Sequence, residues 1–550
     1  MTTRSAPVRP PAVHPRAAGT ASPLAGTWTL TRLALRIDRI RLPAWVFAVG
    51  GATVLLASSY RNLYPTPEAR QARAALIESP AATALAGPGY GLSDYTLGAM
   101  VANEIAGMTM IAVALMSVLL VTLHLRTEEE TGRAEMLRSG VVGRFAPITS
   151  GLAVVLLANV AIGAILGLGL TAVGLPALGS WNLAAAVCMV GLVFGATSAL
   201  FSQITEHART ASGFGSVAVA LAYLLRAIGD VRAKEDGSLW SWLSPIGWGQ
   251  ATRAYVDERW WPLLLGAVTV LVGVVAAYLV VGRRDVGAGL VAPRGGPPRA
   301  GAALRGIAAL TMRMQRNQIL AWAVGVAALA FPTGALGRQV ADFVDQDPRL
   351  AGLLPGGEGN AAQGAFALYL VFLTIMACMY ALTAVQSMRG EESAGRAEDV
   401  LSTPVSRLRW LGAQLAVVTA ATVLITLAAG AAMGITAAAT LHDGSMFGRL
   451  VGAAANLLPA TLAVVGGTAA VYAWFPRLLA VVWVYLGYAL VIGMFLEVLP
   501  DWTGWASPFH WTPNLPADEF DIVPLIVLVV LAATLYASAL IGFRRRDIQS

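Results

Sequence analysis

The chain of 550 residues contains little charge, a single lysine and two cysteines. Only 13% of its residues are charged, 57% are hydrophobic, and the mean hydropathy is +0.66. This excludes an ordinary soluble protein, in which about a quarter of the residues are charged. The lysine, Lys234, follows no glycine-rich turn, which excludes a phosphate-binding loop of the G-x-x-x-x-G-K-S/T type. The sequence therefore predicts a membrane protein that does not hydrolyse ATP through such a loop.

Residues that could bind metal or form disulfides are few and scattered. Cys188 and Cys378 lie within apolar runs, where a thiol is most often a packing residue, so no disulfide framework is expected. The five histidines follow no H-E-x-x-H or Cys/His spacing, so we predict no metal site and no cofactor bound by this chain. The net charge of +7 does not indicate nucleic acid, because no arginine cluster alternates with aromatics on a soluble segment.

Twelve apolar stretches approach the roughly 20 residues that a membrane span needs. They lie near residues 42–60, 97–125, 146–173, 181–203, 209–228, 260–281, 319–336, 363–388, 410–437, 451–473, 478–499 and 522–543. The pattern predicts an all-α polytopic membrane protein, located in the plasma membrane. The positive-inside rule places both termini in the cytoplasm, because 27 of the 38 basic residues then fall on the inner side.

An internal duplication is the strongest signal in the sequence. At an offset of 263 residues, Arg-x-Glu-Glu-x-x-Gly-Arg-Ala-Glu at 126–135 repeats at 389–398, and Trp-x-Ser-Pro-x-x-Trp at 242–248 recurs as Trp-x-Ser-Pro-x-x-Trp at 505–511. At an offset of 262, Arg-Arg-Asp at 283–285 repeats at 545–547. The front of each half matches at an offset of 277 instead of 263, so the first outer loop is 14 residues longer in the first half. Six spans per half predict two parallel repeats. The expected divisions are a disordered N-terminus at 1–27, a first half at 28–285, a linker at 286–303 and a second half at 304–550.

The duplicated loop, residues 126–144 and 389–407, follows the second span of each half. An i,i+4 pair of Glu129 with Arg133 suits a short solvated helix, which could simply be a charged cap on two long helices. Its duplication and its balanced charges instead favour docking to another protein over binding to lipid phosphate.

Further candidates lie before the first span and on the outer side. Residues 28–41 and 304–318 carry apolar and Arg residues that suit either a helix along the inner interface or an extension of the span. The tryptophan motif suits an aromatic belt, or short proline-broken helices that cap an exit. Glu104 and Arg226, near the outer ends of spans, would either pair or snorkel separately. The predicted outer gate region comprises Glu104, Arg226, Ser244, Pro245, Trp248, Ser507, Pro508 and Trp511.

The matched segments resemble those of ABC transporter permeases of the ABC-2 exporter type. More narrowly, the chain resembles the actinobacterial polyketide-antibiotic (tetronasin-type) exporter permeases, in which two six-span halves are fused. The likeness extends over nearly all of the chain from about residue 28. It implies coupling helices at Glu128–Arg138 and Glu391–Leu401, beside a connecting helix at Leu30–Arg41 and its copy at Leu310–Arg316.

The resemblance also implies site residues. The residues that it assigns to ATPase docking are Glu128, Glu129, Gly132, Arg133, Glu135, Arg138, Glu391, Glu392, Gly395, Arg396 and Glu398. The substrate path would be lined by the second and fifth spans, at Met108, Phe214, Tyr223, Phe372, Met376 and Tyr485. The two copies differ after the shared motif, at 136–138 against 399–401, so the docking sites need not be equivalent.

The sequence thus favours the permease subunit of an ATP-driven exporter for a hydrophobic or amphipathic compound, working by alternating access. Its expected partners are the lipid bilayer and two copies of a separate ATPase, which alone binds ATP-Mg, and it is not itself an enzyme. A twelve-span, ion-coupled secondary transporter is the main alternative, although it predicts buried coupling acids and a Gly-x-x-x-Asp-Arg type of loop. A lipid-linked glycosyltransferase would need paired outer carboxylates, for which only the run at 518–521 is crowded. A binding-only scaffold does not explain the duplication of both faces.

Overall fold

The computed structural model describes residues 22–78, 80–132, 142–233, 238–284, 289–290, 299, 301, 304, 306–337, 361–495 and 500–546. Every regular element in these ranges is a helix, and eleven of the helices described are long and apolar enough to cross a membrane. Such helices satisfy all their backbone hydrogen bonds internally, as a chain in lipid must. The chain divides into two compact units, Met1–Gly295 and Gly296–Ser550.

In the first unit, one apolar helix lies at the centre. The helices described there are α1 Thr27–Ile37, α2 Arg41–Leu63, α3 Pro67–Ile77, α4 Pro80–Ala86, α5 Leu97–Glu130, α6 Ala146–Ala172, α7 Ala177–Ile204, α8 Ala208–Arg232, α9 Leu239–Trp242, α10 Pro245–Gln250 and α11 Pro262–Val281. The central helix, α7, packs against α5, α6 and α11. Glycines allow close approach between helices: an added Cβ at Gly191 would lie 1.8 Å from the Asn159 Oδ1.

In the second unit, the main contacts join α12 to α15 and α17 to α19, and α13 packs on α15, α17 and α18. The helices described are α12 Ile307–Ala335, α13 Ala361–Ser393, α14 Arg396–Leu401, α15 Arg407–Leu441, α16 Ser445–Asn456, α17 Leu458–Trp474, α18 Val481–Phe495 and α19 Ile522–Arg545. Helices α16 and α17 meet at a turn at Leu457 and together form one membrane-long span, Ser445–Trp474. Pro459 lies in the first turn of α17. A proline lacks the N–H that would continue the helix.

One expected span lies only partly within the described residues. The stretch 478–499 was expected to cross the membrane, but its described part is α18, of 15 residues. At 1.5 Å per residue this helix is about 22 Å long, shorter than the hydrocarbon core of about 30 Å. Residues 496–499 lie outside the described part of the chain, which therefore contains eleven membrane-long helices rather than twelve.

The two stretches that precede the first span of each half fold differently. In the first unit, α1 ends at Ile37 and is separate from α2, whereas in the second unit α12 runs unbroken from Ile307 through the same stretch. Pro43 lies in the first turn of α2, and the matched residue at an offset of 277 is Leu320. Proline is well tolerated in a first turn but interrupts a helix interior, so it accounts for the break. The interface-helix interpretation therefore suits the first unit and the span-extension interpretation suits the second.

Candidate functional site

The duplicated loop of the second unit contains a left-handed glycine at the start of its short helix. Gly395 has φ 75° and precedes α14, and no atom outside its local backbone would meet an added Cβ there. The Arg396 guanidinium contacts the Glu391 carboxylate at 2.8 Å, and this hydrogen bond raises the pKa of Arg396. Arg396, Glu398 and Asp399 are exposed. The loop thus presents a short helix with charges of both signs.

The loop of the first unit has a glycine in the same conformation. Gly132 has φ 73°, again with open space around its Cα, and the acidic residues 128–130 form the end of α5. Residues 133–141 lie outside the described part of the chain, and so do the predicted docking residues Arg133, Glu135 and Arg138. Both copies therefore have a glycine in the left-handed conformation, where a residue with a Cβ would be strained.

A largely buried ion pair anchors each copy of the loop to the end of the last span of its own unit. Glu129 pairs with Arg284 in the first unit, and Glu392 pairs with Arg546 in the second. The acids match at an offset of 263 and the arginines at 262. The duplicated Glu-Glu and Arg-Arg-Asp segments, which are about 150 residues apart in each half, therefore meet as equivalent contacts.

Neighbouring groups hold these anchors in place. In the second unit, the Tyr472 hydroxyl donates to Glu392 at 2.9 Å, and Arg546 donates to the Tyr472 carbonyl at 2.8 Å. The matched arginines Arg144 and Arg407 donate to the carbonyls of Arg284 and Arg546, at 3.2 and 2.8 Å. Two of the residues predicted to dock an ATPase, Glu129 and Glu392, thus hold the loop within the unit, while exposed loop residues face outward.

The tryptophan motif also makes the same contact in both units. The indole Nε1 of Trp248 donates to the Trp242 carbonyl at 2.6 Å, and that of Trp511 donates to the Trp505 carbonyl at 3.0 Å. Each contact joins the two tryptophans of the motif across a short helix that begins at the motif's proline. This helix is α10, from Pro245, in the first unit and a single turn, Pro508–Trp511, in the second.

The motif's two serines are buried. Ser244 donates to the Ala222 carbonyl at 2.7 Å and caps the Gly247 N–H, whereas the Ser507 Oγ has no hydrogen-bond partner among the described residues. The short helices in the two copies are therefore alike in form but not in hydrogen bonding.

Glu104 does not pair with Arg226, and it does not reach toward water as a snorkelling side chain would. Its carboxylate is bound by Arg73 of α3 at 2.8 Å and by the hydroxyls of Tyr60 and Tyr95, at 3.2 and 3.1 Å. Burial alone would lower the pKa of Arg73, but Glu104 raises it above its usual value. Burial and the same carboxylate raise the pKa of Tyr95. The longer outer loop of the first unit thus supplies the partner that the sequence did not identify.

Arg226 is fully buried and binds the other helix of that outer loop. Its guanidinium donates to the carbonyls of Thr83, Ala84 and Leu85, at 3.1 to 3.2 Å, at the C-terminal end of α4. Asp230 lies 3.5 Å away. A cation at a helix C-terminus is favourable because the free carbonyls there carry partial negative charge. The outer loop is consequently fastened to α5 through Arg73 and to α8 through Arg226.

The six predicted path residues fall in both units, three in each. In the first unit, Met108 and Phe214 have half-exposed side chains, while Tyr223 donates to the Leu85 carbonyl at 3.2 Å. In the second unit, Phe372, Met376 and Tyr485 pack on the edge of the core. Their role in a substrate path stays a prediction.

An all-helical chain with eleven membrane-long apolar helices in its described part is a polytopic membrane protein. Residues 304–544 match the family model described as multidrug efflux system permease Rv1217c, C-terminal domain. The chain is also 37% identical over 549 residues to the multidrug efflux system permease protein Rv1217c of Mycobacterium tuberculosis (strain ATCC 25618 / H37Rv), with 98% of each chain covered. The chain therefore belongs to the family of multidrug efflux system permeases. The narrower likeness to tetronasin-type exporter permeases stays a prediction.

Proposed function

We propose that the chain is the membrane subunit of an ATP-driven drug exporter whose ATPase is a separate protein that docks on the two duplicated loops. One observation carries this proposal: each loop has the same left-handed glycine and the same buried Glu to Arg anchor. A loop that only ended two helices would not need a matched anchor in both copies. The buried anchors also leave Arg396, Glu398 and Asp399 exposed for a partner in the second unit.

The anchor suggests how a push on the loop would be transmitted. In the second unit, the loop is continuous with α13 on one side and is bound to the end of α19 through Arg546. In the first unit, the loop follows α5 and is bound through Arg284 just after α11. A partner that presses on the loop would therefore move the second and last spans of one unit together. In the proposed cycle, two ATPases close around ATP-Mg, press on both loops and shift the chain between inward-open and outward-open states.

The orientation and cargo of the exporter are part of the same proposal. The excess of basic residues on the side of the duplicated loops supports a cytoplasmic position for these loops and both termini. The relative's name specifies multidrug efflux, and the predicted path residues are Met, Phe and Tyr. We therefore propose an uncharged or amphipathic hydrophobic cargo, of which an antibiotic would be one example.

An ion-coupled secondary transporter is the second candidate, and buried acids are the observation that favours it. The carboxylate side chains of Glu104 and Asp230 are 5% and 4% exposed and belong to membrane-long helices, as coupling acids would. Each, however, already lies beside an arginine, Arg73 or Arg226, which a coupling ion would have to displace, so the ATP-driven function is the better supported of the two.

Charge reversal at exposed loop residues tests the docking. Glu129 and Glu392 are unsuitable, because reversing a buried anchor would disrupt the loop itself. In the double variant Arg396→Glu with Glu398→Arg, we expect the co-purifying ATPase and the stimulated ATP hydrolysis to fall by about tenfold or more, since like charges then face each other. Glu68→Arg, an exposed charge reversal on α3, is the matched control and should leave both unchanged. Normal association and hydrolysis in the double variant would contradict the proposed docking.

A further inference from the structure

The first unit contains a cavity of ≈310 Å³ behind α1. It lies between α1, the end of α5, the start of α6 and the ends of α7 and α11. This volume is at the lower end of the range typical of small-molecule pockets. Its wall is mainly apolar, and the apolar side chains include Leu30, Leu33, Ile37, Val142, Ile148 and Val281.

The wall formed by α1 is fixed at both of its ends. Before α1, the carbonyls of Pro23 and Ala25 accept hydrogen bonds at 2.9 Å from the backbone N–H groups of Phe145 and Gly143. Residues 22–26, which belong to the stretch expected to be disordered, are thus paired with the chain that follows the duplicated loop. After α1, Asp38 contacts His124 of α5 at 2.7 Å. The cavity is therefore bounded by a helix that is held in place.

The charged groups around the cavity are already engaged within the protein. Glu129 pairs with Arg126 and Arg284, His124 contacts Asp38, and Arg144 donates to the carbonyls of Val281 and Arg284. A charged ligand would compete with these contacts and would also lose its hydration. The cavity is accordingly suited to an uncharged molecule.

One polar side chain in the wall has an unused hydrogen-bonding atom. Gln203 is 1% exposed and lines the cavity, and its Oε1 has no hydrogen-bond partner among the described residues. Buried amide oxygens are ordinarily partnered, and the last torsion of glutamine is soft, so either amide atom can turn to the cavity. The equivalent helices α7 and α17 end at Ile204 and Trp474, so the position that corresponds to Gln203 is Ala473, which has no polar group. The amide is consequently specific to the first half.

We infer that this cavity binds an uncharged, mostly apolar molecule that carries a hydroxyl or amine N–H, which donates to Gln203. The apolar body lies against α1 and α6, and the donor satisfies the buried acceptor. A membrane lipid with a free hydroxyl and a drug-like compound share this chemistry. The site depends on the first unit alone, so its failure and the failure of the proposed docking are separate results.

Binding of N-phenyl-1-naphthylamine to the full chain in nanodiscs tests the site. This fluorescent probe is apolar and has one N–H, and its N-methyl analogue lacks that donor. We expect saturable binding above that of empty nanodiscs, weakened about five- to tenfold by Gln203→Leu, in line with the loss of one hydrogen bond. The N-methyl analogue should bind the wild type and Gln203→Leu equally.

A pocket-filling variant and its repeat-matched control complete the test. Val142→Phe should abolish saturable binding, whereas Val405→Phe, at the matched position of the second unit, should leave it unchanged. Displacement of the bound probe by 1-oleoylglycerol supports a lipid as the occupant, and displacement by a drug-like amine or alcohol but not by 1-oleoylglycerol supports a drug-like compound. The absence of saturable binding, or equal affinity of N-phenyl-1-naphthylamine for the wild type and Gln203→Leu, overturns the inference.

Discussion

Replacing Glu392 by glutamine tests whether the buried pair with Arg546 anchors the second duplicated loop. Glutamine keeps the size of the side chain and can still accept the hydrogen bond of Tyr472, so the change removes mainly the charge. The two side chains are 8% and 16% exposed, which leaves the unpaired guanidinium largely out of water. Removing one partner of a buried pair costs about 3–5 kcal/mol. The partial exposure of Arg546 argues for the lower end of that range.

The matched control is the preceding residue of the same loop. Glu391→Gln removes the pair with Arg396, which is 60% exposed, and exposed pairs contribute only about 0.2–1 kcal/mol. In thermal unfolding of the purified chain, a loss of 3 kcal/mol lowers the Tm by about 6–12 °C, and the control should lower it by less than about 4 °C. Equal shifts for the two variants would refute the assignment of Glu392 as an anchor.

Two further predictions concern packing and pH in the first unit. Gly191→Ala should destabilise the chain by about 1–3 kcal/mol, because the added Cβ would lie 1.8 Å from the buried Asn159 Oδ1. Gly213→Ala, with open space around the added Cβ, should be neutral or slightly stabilising. Denaturant unfolding of both variants measures the difference in stability. Burial raises the pKa of Tyr255 to about 12, while an unfolded tyrosine ionises near 10. The stabilisation is therefore complete below pH about 10 and is lost as pH rises toward 12. The variant Tyr255→Phe lacks this ionisable hydroxyl and its hydrogen bond to Ser180, so its stability in urea unfolding should fall less between about pH 10 and 12 than that of the wild type. An equal fall in stability for both proteins would contradict the burial of the Tyr255 hydroxyl.

Most of the membrane-long helices could be predicted from the sequence because they depend on local patterns. A long apolar run in lipid has few options other than a helix, and the structure gives α6 at Ala146–Ala172 where 146–173 was expected. The expected span at 478–499 is described only as far as Phe495, the last described residue of α18.

The side-chain partners could not be predicted, since they depend on how distant segments pack. Glu104 pairs with Arg73 only because α3 folds back on α5, where Ala74, Ile77 and Tyr95 form a small apolar cluster. Likewise, the duplicated Glu-Glu segment suggested a solvated helix, but the approach of the last span buries its second glutamate. The signal for that pairing was nevertheless present, because Glu129 and Arg284 both lie in segments that are repeated in the second half.

Cross-linking from the exposed end of the second duplicated loop tests the central claim most directly. The two native thiols, Cys188 and Cys378, lie within α7 and α13, so the unmodified chain serves as the background. The chain with Glu398→Cys, labelled with a thiol-reactive photo-cross-linker in membranes that contain the candidate ATPase, should give a permease–ATPase adduct. The chain with Glu68→Cys should give none. An adduct of equal yield from both positions, or none from Glu398→Cys while the ATPase still co-purifies, would contradict docking at this loop.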